Sequence, residues 1–143
     1  MTILSVMAFY LGGFNAVIAR VAGTCTQGDA DHLFGAALSA VLYCIALLAL
    51  RFTPHKRIIF LSTLPLWPLW LWQTVFTLQL NSALLFQEQA ACSFLQNAPF
   101  PKSGDEVLYS FVWSVMTLIL TLGTIYMWRN PKQPPASSPP QSR

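Results

Sequence analysis

Residues 107–128 read VLYSFVWSVMTLILTLGTIYMW, and this run contains no Asp, Glu, Lys or Arg. A helix of about 20 residues crosses the hydrocarbon core of a bilayer. A soluble helix of similar length needs a charged outer face, which this stretch does not have. The segment therefore predicts a transmembrane helix rather than a buried helix of a soluble protein.

Three other parts of the chain share this property, and charged residues make up only 9% of the 143 residues. A soluble domain carries about 25% charged residues. The alternating segments of about 10 residues that build a transmembrane β-barrel are absent. We therefore predict an all-α integral membrane protein, a four-transmembrane-helix bundle within residues 1–130. Its helices are expected at 1–19, 33–50, 58–80 and 107–128, with outer loops at 20–32 and 81–106.

Basic residues are distributed unequally between the two ends of the predicted helices. One end carries six of the eight: Arg51, Lys56, Arg57, Arg129, Lys132 and Arg143. The other end carries Arg20, Lys102 and all five acidic residues, so the formal charges of the two ends are +6 and −3. Cytoplasmic loops of membrane proteins are enriched in Lys and Arg. We expect both termini to be cytoplasmic and the protein to be a multi-pass protein of the cell inner membrane.

The connections between the helices are marked by prolines and polar residues. Thr53 and Pro54 stop the helix in a short turn, from which we expect helices 2 and 3 to form a tight antiparallel hairpin. Residues 81–106 either prolong helix 3 or form an amphipathic helix at the membrane interface. Residues 131–143 are rich in Pro, Ser and Gln, and such a segment is predicted to be a disordered tail.

Small side chains recur on the predicted helices and indicate their packing faces, because lipid supplies no hydrophobic force between helices. Helix 4 carries five hydroxyl side chains at alternating spacings of four and three residues: Ser110, Ser114, Thr117, Thr121 and Thr124. This hydroxyl seam is expected either to close the bundle or to face a partner subunit. Shorter ridges are Ala8, Gly12 and Ala16 on helix 1 and Ala36, Ala40 and Cys44 on helix 2.

Helix 3 combines prolines and tryptophans near its middle, where tryptophan is unusual. Pro65 and Pro68 each remove a backbone donor and should bend the helix. The carbonyls that this frees need partners or a cavity at that depth. Trp67, Trp70 and Gln73 are therefore candidates for an aromatic cleft that binds a lipid, a quinone or another flat apolar ligand. The alternative is a kinked helix whose tryptophans fill the gap or face lipid.

Two of the three cysteines, Cys25 and Cys92, lie on the same predicted outer face. An oxidising compartment would allow a structural disulfide between them, and the alternative is two free thiols. The acidic residues near residues 28–32 and 105–106 are interpreted as helix-capping groups rather than as metal ligands. We predict no catalytic, cofactor or metal site.

No charged side chain lies inside the predicted spans, whereas ion pumps and proton relays need one. The chain has no phosphate-binding loop and no nucleophile motif, and its basic residues reflect membrane orientation rather than nucleic-acid binding. We expect a non-enzymatic membrane protein that acts by helix packing with another membrane protein or with itself, as an accessory, assembly or protective subunit. The alternative is a small carrier or lipid- or quinone-handling protein that uses the aromatic cleft.

Overall fold

The computed structural model describes residues 1–22, 31–102 and 104–129, and the regular secondary structure of these residues is helical. The helices are α1 (Thr2–Ala22), α2 (Asp31–Arg51), α3 (Lys56–Thr63), α4 (Trp67–Leu85), α5 (Ala91–Gln96) and α6 (Glu106–Trp128). Four stretches are long and apolar enough to cross a membrane: Thr2–Val21, His32–Arg51, Lys56–Leu85 and Glu106–Trp128. The prediction of an all-helical protein with four helices of membrane-spanning length is confirmed. Cys25, most of the predicted outer loop 20–32 and the predicted tail 131–143 lie outside the described residues.

The observed helices run past the charge-free windows from which they were predicted. Arg20 and Arg51 lie in the last turns of α1 and α2, where a cation interacts favourably with the carbonyl end of the helix. The largest extension is in the third span, which continues through Leu85 instead of ending near residue 80. Charge marks where a helix leaves the apolar layer, whereas backbone hydrogen bonding decides where the helix ends.

The third span is divided at its prolines by a short 3₁₀ turn, Leu64–Leu66, between α3 and α4. Pro65 and Pro68 cannot donate to the carbonyls of Leu61 and Leu64, four residues earlier. The tighter turn supplies other donors, because the N–H of Leu64 bonds to Leu61 and the N–H of Trp67 bonds to Leu64. The backbone at the break therefore keeps its hydrogen bonds without needing water.

Side chains complete the hydrogen bonding around this break. The Thr63 hydroxyl lies 3.0 Å from the carbonyl oxygens of both Ile59 and Phe60. The Tyr10 hydroxyl, on α1, donates to the carbonyl oxygen of Ser62 over 2.8 Å. Side chains of the protein itself therefore add hydrogen bonds to three carbonyls just before the break, those of Ile59, Phe60 and Ser62.

The helices that pack most closely are α1 with α2, α2 with α6, and α6 with both α3 and α4, and α3 also contacts α1. The structure therefore differs from the predicted hairpin, because α2 and α3 are joined by a short turn but lie diagonally across the bundle. Neighbouring helix axes are 8–10 Å apart, so the diagonal is about 11–14 Å. The five residue steps from Arg51 to Lys56 reach about 17 Å when extended, which is enough to cross it.

Small residues let α1 and α2 approach each other. Gly35 faces Ala19 so closely that a β-carbon on Gly35 would collide with it, and a β-carbon on Gly12 would lie 2.7 Å from Cε1 of Tyr43. The buried ridge of α2 consists of His32, Gly35, Ala36, Ser39, Tyr43, Ala46, Ala49 and Leu50.

This ridge differs from the predicted Ala36–Ala40–Cys44 ridge, because Cys44 is exposed. Each step of four residues in a helix of 3.6 residues per turn rotates the position by about 40°. Two such steps carry Cys44 away from the face of Ala36, whereas alternating steps of three and four stay on that face.

The segment 81–106 prolongs α4 only as far as Leu85 and does not form one long amphipathic helix. Glu88 has a positive φ of 50°, and the N–H of Gln89 bonds to the carbonyl of Ala83 over 3.1 Å. A left-handed residue followed by an N–H that bonds back to a carbonyl of the last turns ends the helix here. The short helix α5 follows, and Asn97 ends it with a φ of 52°.

The close approach of α1 and α2 gives a first prediction. Gly35→Ala should destabilise the protein by about 1–3 kcal/mol, the usual range for overpacking, because the new methyl group meets the Ala19 β-carbon and backbone. Gly13→Ala is the matched control, since its new methyl group would have ordinary contacts of 3.7 Å or more. Thermal unfolding of the two variants in one detergent measures the difference. Equal stability of the two would contradict the packing described here.

Candidate functional site

The outer half of the hydroxyl seam on α6 pairs with α4. The hydroxyl oxygens of Thr77 and Thr117 are 2.8 Å apart. Thr117 also lies within hydrogen-bond distance of the Trp113 carbonyl, at 3.0 Å, so its single hydrogen can serve that carbonyl while Thr77 donates to Thr117. This contact joins two helices of membrane-spanning length by a polar bond between their side chains.

Asn81 makes the next contact along the same interface. The Ser110 hydroxyl donates to Oδ1 of Asn81 over 2.7 Å, and Nδ2 of Asn81 donates to the Ser114 hydroxyl over 3.0 Å. One amide therefore links two seam residues that are one turn apart. Together with Thr117, these residues place the outer three members of the predicted seam against α4 of the same chain.

The two remaining seam residues have no such partner on α4. Thr121 donates to the carbonyl of Thr117 over 2.8 Å, and Thr124 donates to the carbonyl of Leu120 over 3.0 Å. Each hydroxyl thereby donates its hydrogen within α6, and its oxygen lone pairs can still accept a hydrogen bond from a donor outside the helix. The seam is divided into an outer half that closes the bundle and an inner half that is open.

Next to the open half, α4 and α6 separate to form a cleft of about 220 Å³. We call it the α4–α6 cleft, and its lining residues are Trp67, Trp70, Leu71, Thr74, Leu120, Thr121, Thr124 and Ile125. The ring centroids of Trp67 and Trp70 are 6.3 Å apart, and the two rings are stacked with planes 29° apart. The cleft is therefore a mainly apolar indentation with an aromatic wall on α4 and a hydroxyl wall on α6.

The structure brings Trp67 and Trp70 together in the cleft but places Gln73 elsewhere. Gln73 is buried, and its Oε1 lies 3.4 Å from the hydroxyl oxygen of Tyr43 on α2. It therefore faces the diagonal helix in the centre of the bundle. The three residues predicted to share one ligand cleft lie on two different faces of α4.

Several buried N–H groups have no hydrogen-bond partner among the described residues: the indole nitrogens of Trp67, Trp70 and Trp113, Nε2 of Gln73 and Nη1 of Arg20. A β-carbon on Gly13 would lie 3.7 Å from the Tyr43 hydroxyl and 3.9 Å from Nε1 of Trp70. Two of the polar groups at the bundle centre therefore meet around Gly13 of α1. All the unpartnered groups are donors, so the interior lacks acceptors rather than donors.

Two long-range contacts at the outer end are not evident from the sequence. The guanidinium carbon of Arg20 lies 3.7 Å from the ring centre of Trp72 and 4.2 Å from that of Phe76. Buried His32 lies 2.5 Å from the carbonyl oxygen of Ala19 through Nδ1 and 2.8 Å from the Gln96 amide through Nε2. His32 thus links α1, α2 and α5.

The cysteines occupy different environments. Cys44 is a free, exposed thiol, and Cys92 is disulfide-bonded at a position beside α6, with Sγ 3.9 Å from the hydroxyl of Tyr109. Cys25 lies outside the described residues, so the Cys25–Cys92 pairing stays a prediction. Among the described residues, no three His, Cys, Asp or Glu side chains are grouped so that they could hold a metal ion.

The divided seam gives a second prediction, which compares bulk with hydrogen bonding. Thr117→Leu should cost about 1–3 kcal/mol because it overpacks the contact with Thr77. Thr117→Ala should cost about 0.6 kcal/mol, the average for an interhelical hydrogen bond in a membrane. Leu118→Ala is the control on an exposed position of the same helix. Thermal unfolding should rank Thr117→Leu as the least stable of the three, and Leu118→Ala in that place would contradict the seam.

No protein-family model, curated protein or solved structure matches the chain.

Proposed function

We propose that this chain is a non-enzymatic, multi-pass protein of the inner membrane that binds another membrane protein, or a second copy of itself, through the α4–α6 cleft. Support for membrane insertion comes from the outer surface of the bundle. Ile3, Phe14, Phe111 and Leu118 are each more than half exposed. Exposed apolar patches larger than a few hundred Å² are rare on soluble monomers, so these faces suit lipid.

The orientation within the membrane is supported by charge. The ends of α2 and α6 and the start of α3 carry Arg51, Arg129, Lys56 and Arg57. The described acidic residues lie at the starts of α2 and α6 and in the turn after α4. The excess of Lys and Arg at the first end supports a cytoplasmic position for that end and, with it, for both termini.

The observation that carries the proposed partner binding is the division of the hydroxyl seam. Ser110, Ser114 and Thr117 are occupied by α4, whereas exposed Thr121 borders an indentation that no side chain of the described residues fills. Membrane helices associate through small and hydroxyl residues that allow close approach. A helix laid along the inner half of α6 could place one large side chain between the tryptophans and Thr121.

The size of the cleft favours a protein side chain over a small molecule. Its volume of about 220 Å³ is below the 300–1,000 Å³ of ordinary small-molecule sites. The unpartnered indole N–H of Trp67 favours a second candidate, a lipid or quinone carrier, because a ligand carbonyl could accept its hydrogen.

Photo-crosslinking separates these two functions. A benzophenone amino acid at Leu71, an exposed residue on the rim of the cleft, should give a protein adduct in intact membranes. Leu78 is the matched control, since it is equally exposed on α4 and does not line the cleft. An adduct that contains lipid or quinone instead of protein would favour the carrier and refute partner binding.

A variant inside the cleft tests whether such an adduct is specific. Thr121→Leu fills the cleft without touching the α4 contact, because Thr121 is exposed and bonds only to its own helix. It should abolish the adduct at Leu71 and leave the thermal stability unchanged. An adduct that persists in Thr121→Leu would show that the partner does not use the cleft.

The orientation is tested by reporter fusions to the C-terminus. A green fluorescent protein fusion should be fluorescent and an alkaline phosphatase fusion inactive, because the first matures in the cytoplasm and the second needs an oxidising compartment. A phosphatase inserted after Lys102, in the outer segment, is the control and should be active. The reverse pattern would contradict the proposed orientation.

A further inference from the structure

A second concave surface lies between α6 and α2, on the face of α6 next to the α4–α6 cleft, and shares Ile125 with it. Its volume is about 510 Å³, within the range of small-molecule sites. We call it the α2–α6 groove, and its lining residues are Leu47, Arg51, Leu122, Ile125, Tyr126 and Arg129. Its walls change from aliphatic to basic along its length, since Arg51 ends α2 and Arg129 follows α6.

The two arginines of the groove are not committed to other groups. Neither guanidinium has a hydrogen-bond or ion-pair partner among the described residues. The carbonyls at the end of α2 are served by Thr53, whose hydroxyl donates to Ala49 over 3.0 Å and whose N–H donates to Leu50 over 3.2 Å. Arg51 is therefore not needed as a cap for its own helix.

The charge around the groove is uniformly positive. Nζ of Lys56 lies 4.0 Å from the ring centre of Tyr126, which brings a third cation beside the two arginines. The described acidic residues lie at the other end of the bundle, at the start of α2, at the start of α6 and in the turn after α4. An anionic group in the groove would meet no described carboxylate.

We propose that the α2–α6 groove binds one anionic phospholipid, with the phosphodiester on Arg51 and Arg129 and an acyl chain along Leu47, Leu122 and Ile125. This site rests on the proposed insertion in the membrane, which puts the ends of α2 and α6 at the level of the headgroups. Basic pockets between transmembrane helices on the cytoplasmic side bind anionic headgroups in this way. A free phosphate would use the arginines and leave the aliphatic wall uncovered, so the lipid satisfies more of the surface.

Native mass spectrometry of the full chain in detergent micelles tests the proposal. Dioleoylphosphatidylglycerol should bind as one adduct and more tightly than dioleoylphosphatidylcholine. Arg51→Gln and Arg129→Gln should each weaken phosphatidylglycerol binding about fivefold, which corresponds to about 1 kcal/mol per basic residue near an anionic lipid surface. The double variant should weaken it about 25-fold by the same relation.

Two further variants separate the groove from the general charge of this end. Arg57→Gln removes the same charge from the same end but does not line the groove, so its affinity should stay near that of the unmodified protein. Leu122→Trp keeps every charge and fills the groove beside its aliphatic wall. It should therefore lower the affinity for phosphatidylglycerol without changing the thermal stability. An equal loss in Arg57→Gln, or no loss in Leu122→Trp, would overturn the site.

The source of the bound anion is decided by competition. Inorganic phosphate at millimolar concentration should not displace phosphatidylglycerol, and displacement would show an anion site rather than a lipid site. The crosslink at Leu71 reports partner binding separately in the same variants. If the preference for phosphatidylglycerol is lost and the crosslink is intact, only the proposed lipid site is refuted. If the chain does not sediment with membranes, the proposed membrane function itself is refuted.

Discussion

The backbone hydrogen bonds of the third span are the constraint on which the rest of the bundle depends. Two prolines, Pro65 and Pro68, remove donors where no water is expected, and a 3₁₀ turn restores the bonding at the cost of a straight helix. Because α6 runs unbroken, it meets α3 below the break through Thr63 and Met127 and α4 above it through Thr77 and Thr117. The α4–α6 cleft lies between these two contacts, at the height of the break.

The helix α6 therefore serves two interfaces. One face carries the hydroxyl seam and the cleft, and the neighbouring face meets α2 and carries the groove that ends in Arg51 and Arg129. Ile125 lines both concave surfaces, so an occupant of one site contacts a residue of the other. If both proposals hold, a bound lipid and a bound partner share the last turns of a single helix.

The four helices follow from the sequence because lipid excludes charge over the length of a span, and the kink follows from the chemistry of proline. The heptad spacing of the seam also places Ser110 to Thr124 on one side of α6, but spacing within one helix does not reveal which helix it meets.

Gln73 illustrates the same limit. It is three residues from Trp70, a step of about 300°, so it lies 60° away from it, and only the tertiary contact with Tyr43 shows that this rotation takes it out of the cleft. Contacts such as His32 with Gln96 join residues that are far apart in the chain and have no local pattern.

The packing of α6 between α2 and α4 has a consequence for the order of synthesis. The first two helices can join as soon as they leave the ribosome, since Gly35 and Ala19 lie within the first third of the chain. The other face of α2, where Leu47 meets Gly123, has no partner until the last span is made. At 5–20 residues per second, this face waits about 4–15 s for α6. During that interval this face of α2 is a packing surface of the nascent bundle that the insertion machinery or another membrane protein can occupy.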